Sequence, residues 1–240
     1  MTTLVLIPTY NERENLPIIV ERVLVHDNVR VMVIDDGSPD GTGAIADQLA
    51  SDRVGRVSVM HRTGARGLGR SYRDGFRVAV KSDADFVCQM DADLSHDPKF
   101  LPAMIDAAAS RSGLVIGSRY REGGSVENWP VRRKMLSAFA NAYIRSVTGL
   151  QVRDCTSGFR CWRRESLARL PLDAISSDGY SFLVEVTFHA ALAGVQIGEV
   201  PIVFVERRQG ASKLSTGVLV ESLITPWRLA ATHGRVRQVQ

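Results

Sequence analysis

The chain has 240 residues, 45% of them hydrophobic and 23% charged, with 30 Lys and Arg against 26 Asp and Glu. That length and mix fit a soluble globular protein with a substantial core, as one large domain or one domain with an appendage. The net charge of +4 admits an anionic partner. No motif of the common nucleic-acid modules is present and no apolar run reaches the roughly 18 residues of a membrane span, so we expect no nucleic acid and no transmembrane helix.

In chain order, Leu4-Val5-Leu6-Ile7 is an apolar run that stops at Pro8, as a buried parallel strand would. Residues 16–25 carry apolar side chains at helical spacing. A second strand over 29–34 runs into Asp35-Asp36-Gly37-Ser38, a helix is expected over about 42–50, and a third strand over 57–60. The glycine-bearing stretch 64–69 has neither the dinucleotide nor the lysine-containing phosphate-loop spacing, and reads as a tight turn into a helix through Tyr72, Phe76 and Val80. A fourth strand, Phe86-Val87-Cys88-Gln89-Met90, delivers Asp91-Ala92-Asp93 to its C-terminal end. Helix over 98–110 and strand over 114–116 complete an alternation that predicts an α/β fold with a mainly parallel sheet.

After Gly117 the rhythm changes. Residues 118–134 are polar and basic, a helix is expected over 135–147, and Asp154 to Arg160 form a turn feeding a short strand. A helix over 182–193 and a strand near 197–205 follow, then a basic loop over 207–213. The tail, 214–231, is amphipathic and interrupted by Pro226. It fits a helix packed on its own domain as well as one lying on a membrane surface. With no internal repeat or linker, 1–240 reads as one domain. Cys88, Cys155 and Cys161 are odd in number and lack metal-binding spacing, which favours free thiols in a reducing compartment. Met1-Thr2-Thr3 leads straight into strand pattern, without a basic leader or cleavage site.

Three strand ends carry polar signals: Pro8 to Glu12, Asp35 to Ser38, and Asp91 to Asp93. In a parallel sheet all three lie along one edge, where α/β proteins bind ligands. Two carboxylates spaced by one small residue supply the oxygen ligands of a hard cation bridging a diphosphate, although an isolated pair of this kind more often starts a turn or caps the following helix.

Together these blocks resemble the inverting family 2 glycosyltransferases of GT-A fold. P-T-Y-N-E-R-E-N-L-P at 8–17, D-D-G-S-P-D-G-T at 35–42, M-D-A-D-L-S-H-D-P-K-F at 90–100 and G-S-R-Y at 117–120 resemble the polyprenol-phosphate mannosyltransferases (dolichyl-phosphate mannose synthases). So do D-C-T-S-G-F-R at 154–160, G-E-V-P-I at 198–202 and E-R-x-x-G-x-S-K-L at 206–214. The resemblance implies a Rossmann-like GT-A sheet with a nucleotide-sugar-binding half over 1–117, an acceptor-side half over 118–213 and an amphipathic tail over 214–240. It implies that Pro8, Tyr10, Glu12, Ile34 and Asp36 hold the guanine nucleotide. It further assigns Asp91, Ala92 and Asp93 to the donor and an Mg2+ or Mn2+ ion, with Ser95 where other members place a further ligand. Arg119, Arg207 and Lys213 match donor or phosphate contacts, and Arg133 a basic position near the acceptor. Asp93, Arg119, Arg133 and Arg207 are the expected catalytic set.

The implied reaction moves mannose from GDP-mannose to a polyprenyl monophosphate. Such an acceptor, with second pKa near 6, is already anionic at neutral pH and needs positioning more than a base. Asp154 remains open as a general base or as an arginine partner, Glu185 as a partner of an arginine, and His61, His96 and His189 show no triad or metal spacing. A lipid acceptor implies a cytoplasmic protein peripheral to the cytoplasmic face of a membrane. It would dock through basic loops and tail or through a separate anchoring subunit. A donor such as UDP-glucose, or a nucleotide-binding module without turnover, are the competing expectations.

Overall fold

The computed structural model describes residues 1–206 and 216–236, the latter with backbone alone over 216–220. Its frame is a seven-stranded sheet built from β1 (Thr3–Thr9), β2 (Val29–Asp35), β3 (Val57–His61), β4 (Phe86–Gln89), β5 (Leu114–Ser118), β7 (Arg160–Arg163) and β8 (Ile197–Pro201), in the order β3-β2-β1-β4-β7-β5-β8. All neighbours are parallel except β7, which runs antiparallel to both β4 and β5. A second, two-stranded parallel sheet joins β6 (Ser125–Glu127) to β9 (Val203–Val205).

The continuous apolar strands are explained by burial on both faces. Val5, Ile7, Val31 and Val33 face a core closed by α1 (Asn15–Leu24), α2 (Thr42–Asp52) and α4 (Leu101–Ser110). Leu4, Leu6, Met32 and Ile34 face the opposite core with α3 (Leu68–Ala79) and α7 (Gly179–Leu192). α1 buries Leu16, Ile19, Val20 and Val23, the inward stripe of an amphipathic helix. α5 (Val131–Thr148) and α8 (Thr216–His233) pack against one another, tied by the Tyr143 hydroxyl donating to the Leu223 carbonyl at 2.6 Å. The short α6 (Arg164–Leu167) follows β7.

Several expectations change. β4 ends at Gln89, so Asp91 and Asp93 sit on the turn beyond the strand rather than on the strand itself. Leu94 there adopts φ of +64°, which ends any extended run. The expected strand over 197–205 divides at Ile202 into β8 and β9, which belong to different sheets. The helix expected from 182 begins at Gly179, where the Asp178 carboxylate accepts from the Gly179 N–H at 2.9 Å. α8 runs unbroken past Pro226.

Candidate active site

The parallel register brings the ends of β1, β2 and β4 to one edge: Thr9 lies opposite Asp35, and Leu6 opposite Gln89. The turns beyond them are stitched together. The Asn11 N–H donates to Ser38 Oγ at 3.1 Å and the Glu12 N–H to Thr42 Oγ1 at 3.0 Å. Asp35 is a turn builder, accepting from Ser38 Oγ at 2.6 Å. Asp36 instead faces a cavity. One of its oxygens accepts from Arg62 and the other from the Gly67 N–H at 2.7 Å. Beside it, the Arg66 guanidinium lies 4.7 Å from the Tyr10 ring centroid and donates to the Tyr10 hydroxyl. Glu12 accepts from Asn15 Nδ2 at 2.9 Å.

The stretch 64–69 is a helix entry, and its N–H groups are taken by carboxylates: Gly67 by Asp36, and Gly69 by Asp178 at 2.5 Å. A Cβ at Gly67 would sit 1.8 Å from Asp178 Oδ2, so only glycine fits there.

On the turn after β4, Asp93 Oδ1 accepts from Ser95 twice, from its N–H at 3.1 Å and from its hydroxyl at 2.5 Å. Ser95 is 2% exposed, so its hydroxyl holds Asp93 rather than facing the cavity. The Asp91 N–H donates to His96 Nδ1 at 3.2 Å. Among the described residues no three acidic, histidine or cysteine side chains form a closed metal cage. The donor set nevertheless fits a divalent cation. Two hard carboxylates on one cavity wall leave coordination positions for diphosphate oxygens and water, as Mg2+ and Mn2+ prefer.

Two guanidinium groups line the same cavity. Arg119 is enclosed, with its Nε donating to Asp154 Oδ2 at 2.8 Å and its Nη2 to Oδ1 at 2.7 Å. Burial alone would push this guanidinium down, but the Asp154 carboxylate more than offsets it and the group titrates above its ordinary range. Rings of Tyr120, Trp129 and Phe204 surround it at 5.5 to 5.6 Å. Arg133, from the first turn of α5, lies 4.1 Å from the Trp129 ring and pairs with Glu206.

These walls enclose a cavity of about 580 Å³. Its lining takes in Pro8, Tyr10, Glu12 and Asp36, the Asp91-Ala92-Asp93 turn, and Arg119 and Arg133. Ile34 is not among its lining; it is fully buried in the core with Leu6 and Tyr72. Arg207 and Lys213 lie outside the described residues. Sequence reading did not single out Arg62, Arg66, Trp129 or Phe204, left His96 without a role, and left Asp154 open between a general base and an arginine partner. Only Arg66, inside the glycine-bearing stretch, carried a local signal. Asp154 pairs with Arg119, and Glu185 accepts from the Ser177 N–H at 2.8 Å and meets Arg228 at 3.4 Å.

Comparison with known proteins agrees with this arrangement. The family model of glycosyl transferase family 2 matches residues 4–170. A polyprenol monophosphomannose synthase of Mycolicibacterium smegmatis is 46% identical over 240 residues, covering 99% of this chain and 91% of that protein. An undecaprenyl-phosphate mannosyltransferase of Micrococcus luteus is 46% identical over 236 residues, covering 96% of each. Among solved structures, a mannosyltransferase of Pyrobaculum calidifontis in complex with GDP-Man and Mn2+ shares the fold at a TM-score of 0.59. It is 18% identical, covering 96% of this chain and 73% of that one. A GT-A sheet whose edge carries paired carboxylates, and a family match spanning most of the chain, agree: this protein belongs to glycosyl transferase family 2.

Proposed function

We propose that the protein transfers mannose from GDP-mannose to a polyprenyl monophosphate, with inversion at the sugar C1, giving β-mannosyl-phosphoryl-polyprenol and GDP. The observation that carries this reading is that the Arg119 and Arg133 guanidinium groups line the same cavity as Asp91 and Asp93. An acceptor hydroxyl would need a base to take its proton, and Asp154, the carboxylate the sequence offered for that role, is fully buried with both oxygens on Arg119. A lipid phosphate arrives already ionised, and guanidinium groups bind its oxygens bidentately. The names of both 46%-identical relatives agree with a polyprenyl phosphate acceptor, and the Pyrobaculum structure agrees with a GDP-mannose donor.

In this reading Tyr10 offers a stacking face to guanine, and Glu12 and Asp36 accept from base or ribose. Arg62 and the Gly67 N–H hold Asp36 in place for that contact. Asp91 and Asp93 would hold an Mg2+ or Mn2+ ion, which supplies charge neutralisation on the departing diphosphate. Arg119 stiffens the wall opposite, and Arg133 receives the acceptor phosphate, with Arg207 and Lys213 joining from the segment outside the described residues. An acceptor oxygen attacks C1 from the face opposite the diphosphate. The C1–O bond to the β-phosphate breaks, and its electron pair leaves with GDP.

A lipid acceptor supports work at a membrane surface, and we propose its cytoplasmic face. Among the described residues no helix is long and apolar enough to cross one. The exposed apolar side chains Val131, Met135, Leu136 and Phe139 of α5, beside Leu223, Ile224 and Trp227 of α8, support docking at the bilayer surface. Transfer measured across GDP-mannose, GDP-glucose, UDP-glucose and UDP-galactose with one short polyprenyl phosphate tests the donor. Preference for a UDP-sugar would replace it.

A further inference from the structure

Resting on this donor-site reading, we propose that His96 is the positioning residue that holds Asp91 for the cation and diphosphate. It does so from Nδ1, as a bare acceptor.

His96 is 2% exposed and borders the cavity. A histidine so enclosed must satisfy its ring nitrogens within the protein. Its Nδ1 accepts the Asp91 backbone N–H at 3.2 Å, which leaves the ring proton on Nε2. The same nitrogen lies 3.7 Å from Asp91 Oδ2. With Nδ1 bare, that approach is a contact beneath the carboxylate rather than an ion pair.

The ring itself is clamped. Phe159 stacks on it with centroids 5.1 Å apart and planes at 26°, and Phe204 meets it edge-on at 5.6 Å and 72°. Gly158 lies beside both groups: a Cβ there would come within ordinary contact of both Asp91 oxygens, at 3.4 Å, and of His96 Cε1, at 3.5 Å.

The two aspartates therefore have separate contacts from residues adjacent in sequence. Ser95 grips Asp93 by its side chain, and His96 grips Asp91 by its backbone. Between them Leu94 sits at φ of +64°, a conformation that the chain keeps only where its surroundings impose it. Phe204 also carries the coupling further, since its ring faces the Arg119 guanidinium at 5.5 Å. Partners that orient metal-binding groups tune affinity.

Two amide replacements separate this role from bulk packing. In His96→Asn the side-chain oxygen can occupy the Nδ1 position, whereas His96→Gln reaches toward the Nε2 position and leaves the Asp91 N–H without its acceptor. Calorimetric titration of Mn2+ into the protein with GDP present is the readout, alongside KM and kcat for both substrates. We expect His96→Gln to bind Mn2+ about tenfold to a hundredfold more weakly, with KM for the lipid phosphate unchanged. His96→Asn should stay within about threefold of the unaltered protein, on the same geometric argument. Equal Mn2+ affinity in the two variants, or unaltered affinity in His96→Gln, overturns the assignment. If the unaltered protein itself takes up no Mn2+ with GDP, the donor-site reading falls first and His96 with it.

Discussion

The Arg119 guanidinium and the Asp154 carboxylate form a closed fork in which Oδ2 accepts from both Nε at 2.8 Å and the Arg119 backbone N–H at 3.0 Å, while Oδ1 accepts from Nη2 at 2.7 Å. The side chains are 6% and 0% exposed, so neither charge can be left alone without a large penalty. Asp154→Leu and Arg119→Leu should each cost about 3 kcal/mol or more in urea unfolding, and the double variant should recover much of that loss. Mannosyl transfer should recover in none of the three. A fully active Asp154→Leu would show that the fork is dispensable.

Asp93 and Ser95 should separate by severity. Removing the carboxylate in Asp93→Ala takes away an oxygen ligand, and transfer should fall at least about a hundredfold at any Mn2+ concentration. Ser95→Ala removes only the 2.5 Å hydrogen bond that fixes that ligand, so the loss should be about tenfold and partly relieved by more Mn2+. Unaltered transfer in Asp93→Ala would end the proposed metal role.

Alkaline pH should weaken the fold through its buried thiols. Burial pushes the Cys155 thiol up to about 12, with Asp154 adding to the effect, and raises Cys161 well above its ordinary value. In the unfolded chain a thiol ionises near ~8.5. Above that pH the unfolded state sheds protons that the folded state keeps. Stability present below about 8.5 is then lost toward about 12, at up to about 1.4 kcal/mol per pH unit for each thiol. Urea midpoints between pH 7.5 and 10.5 should fall accordingly, and less steeply in Cys155→Ala. An identical slope in that variant would contradict the account.

Bilayer docking should depend on α5 and α8. Phe139 and Trp227 are 68% and 62% exposed, so replacing both with Asp leaves the core intact. In flotation with vesicles containing phosphatidylglycerol, the double variant should stay in the soluble fraction while the unaltered protein floats. Its activity on short-chain polyprenyl phosphate in detergent should be unchanged. Equal flotation would move the docking surface elsewhere, including to a separate membrane subunit.

The sheet was legible because its strands are buried on both faces. Runs such as Val31 to Ile34 need no partner to be recognised. β6 was not, since Ser125-Val126-Glu127 is short and polar and exists only through its pairing with β9. The reversed direction of β7 also escaped, because it depends on Cys88 meeting Cys161 and Gln89 meeting Arg160 across 73 and 71 residues of chain. In the site, Asp91, Asp93 and Asp36 could be read from their places after strands. Arg62 and Phe204 could not, as each acts only through a residue that the fold brings to it, and His96, though only five residues from Asp91, showed no triad or metal spacing.

The most direct test follows label from donor to lipid. The protein is incubated with GDP-mannose radiolabelled in the sugar, a short polyprenyl phosphate and Mn2+, then extracted with butanol. We predict label in the organic phase in step with GDP release, as a β-linked mannosyl phosphate that mild acid hydrolyses. GDP-mannose consumed without any labelled lipid, or label carried only from a different nucleotide sugar, would contradict it.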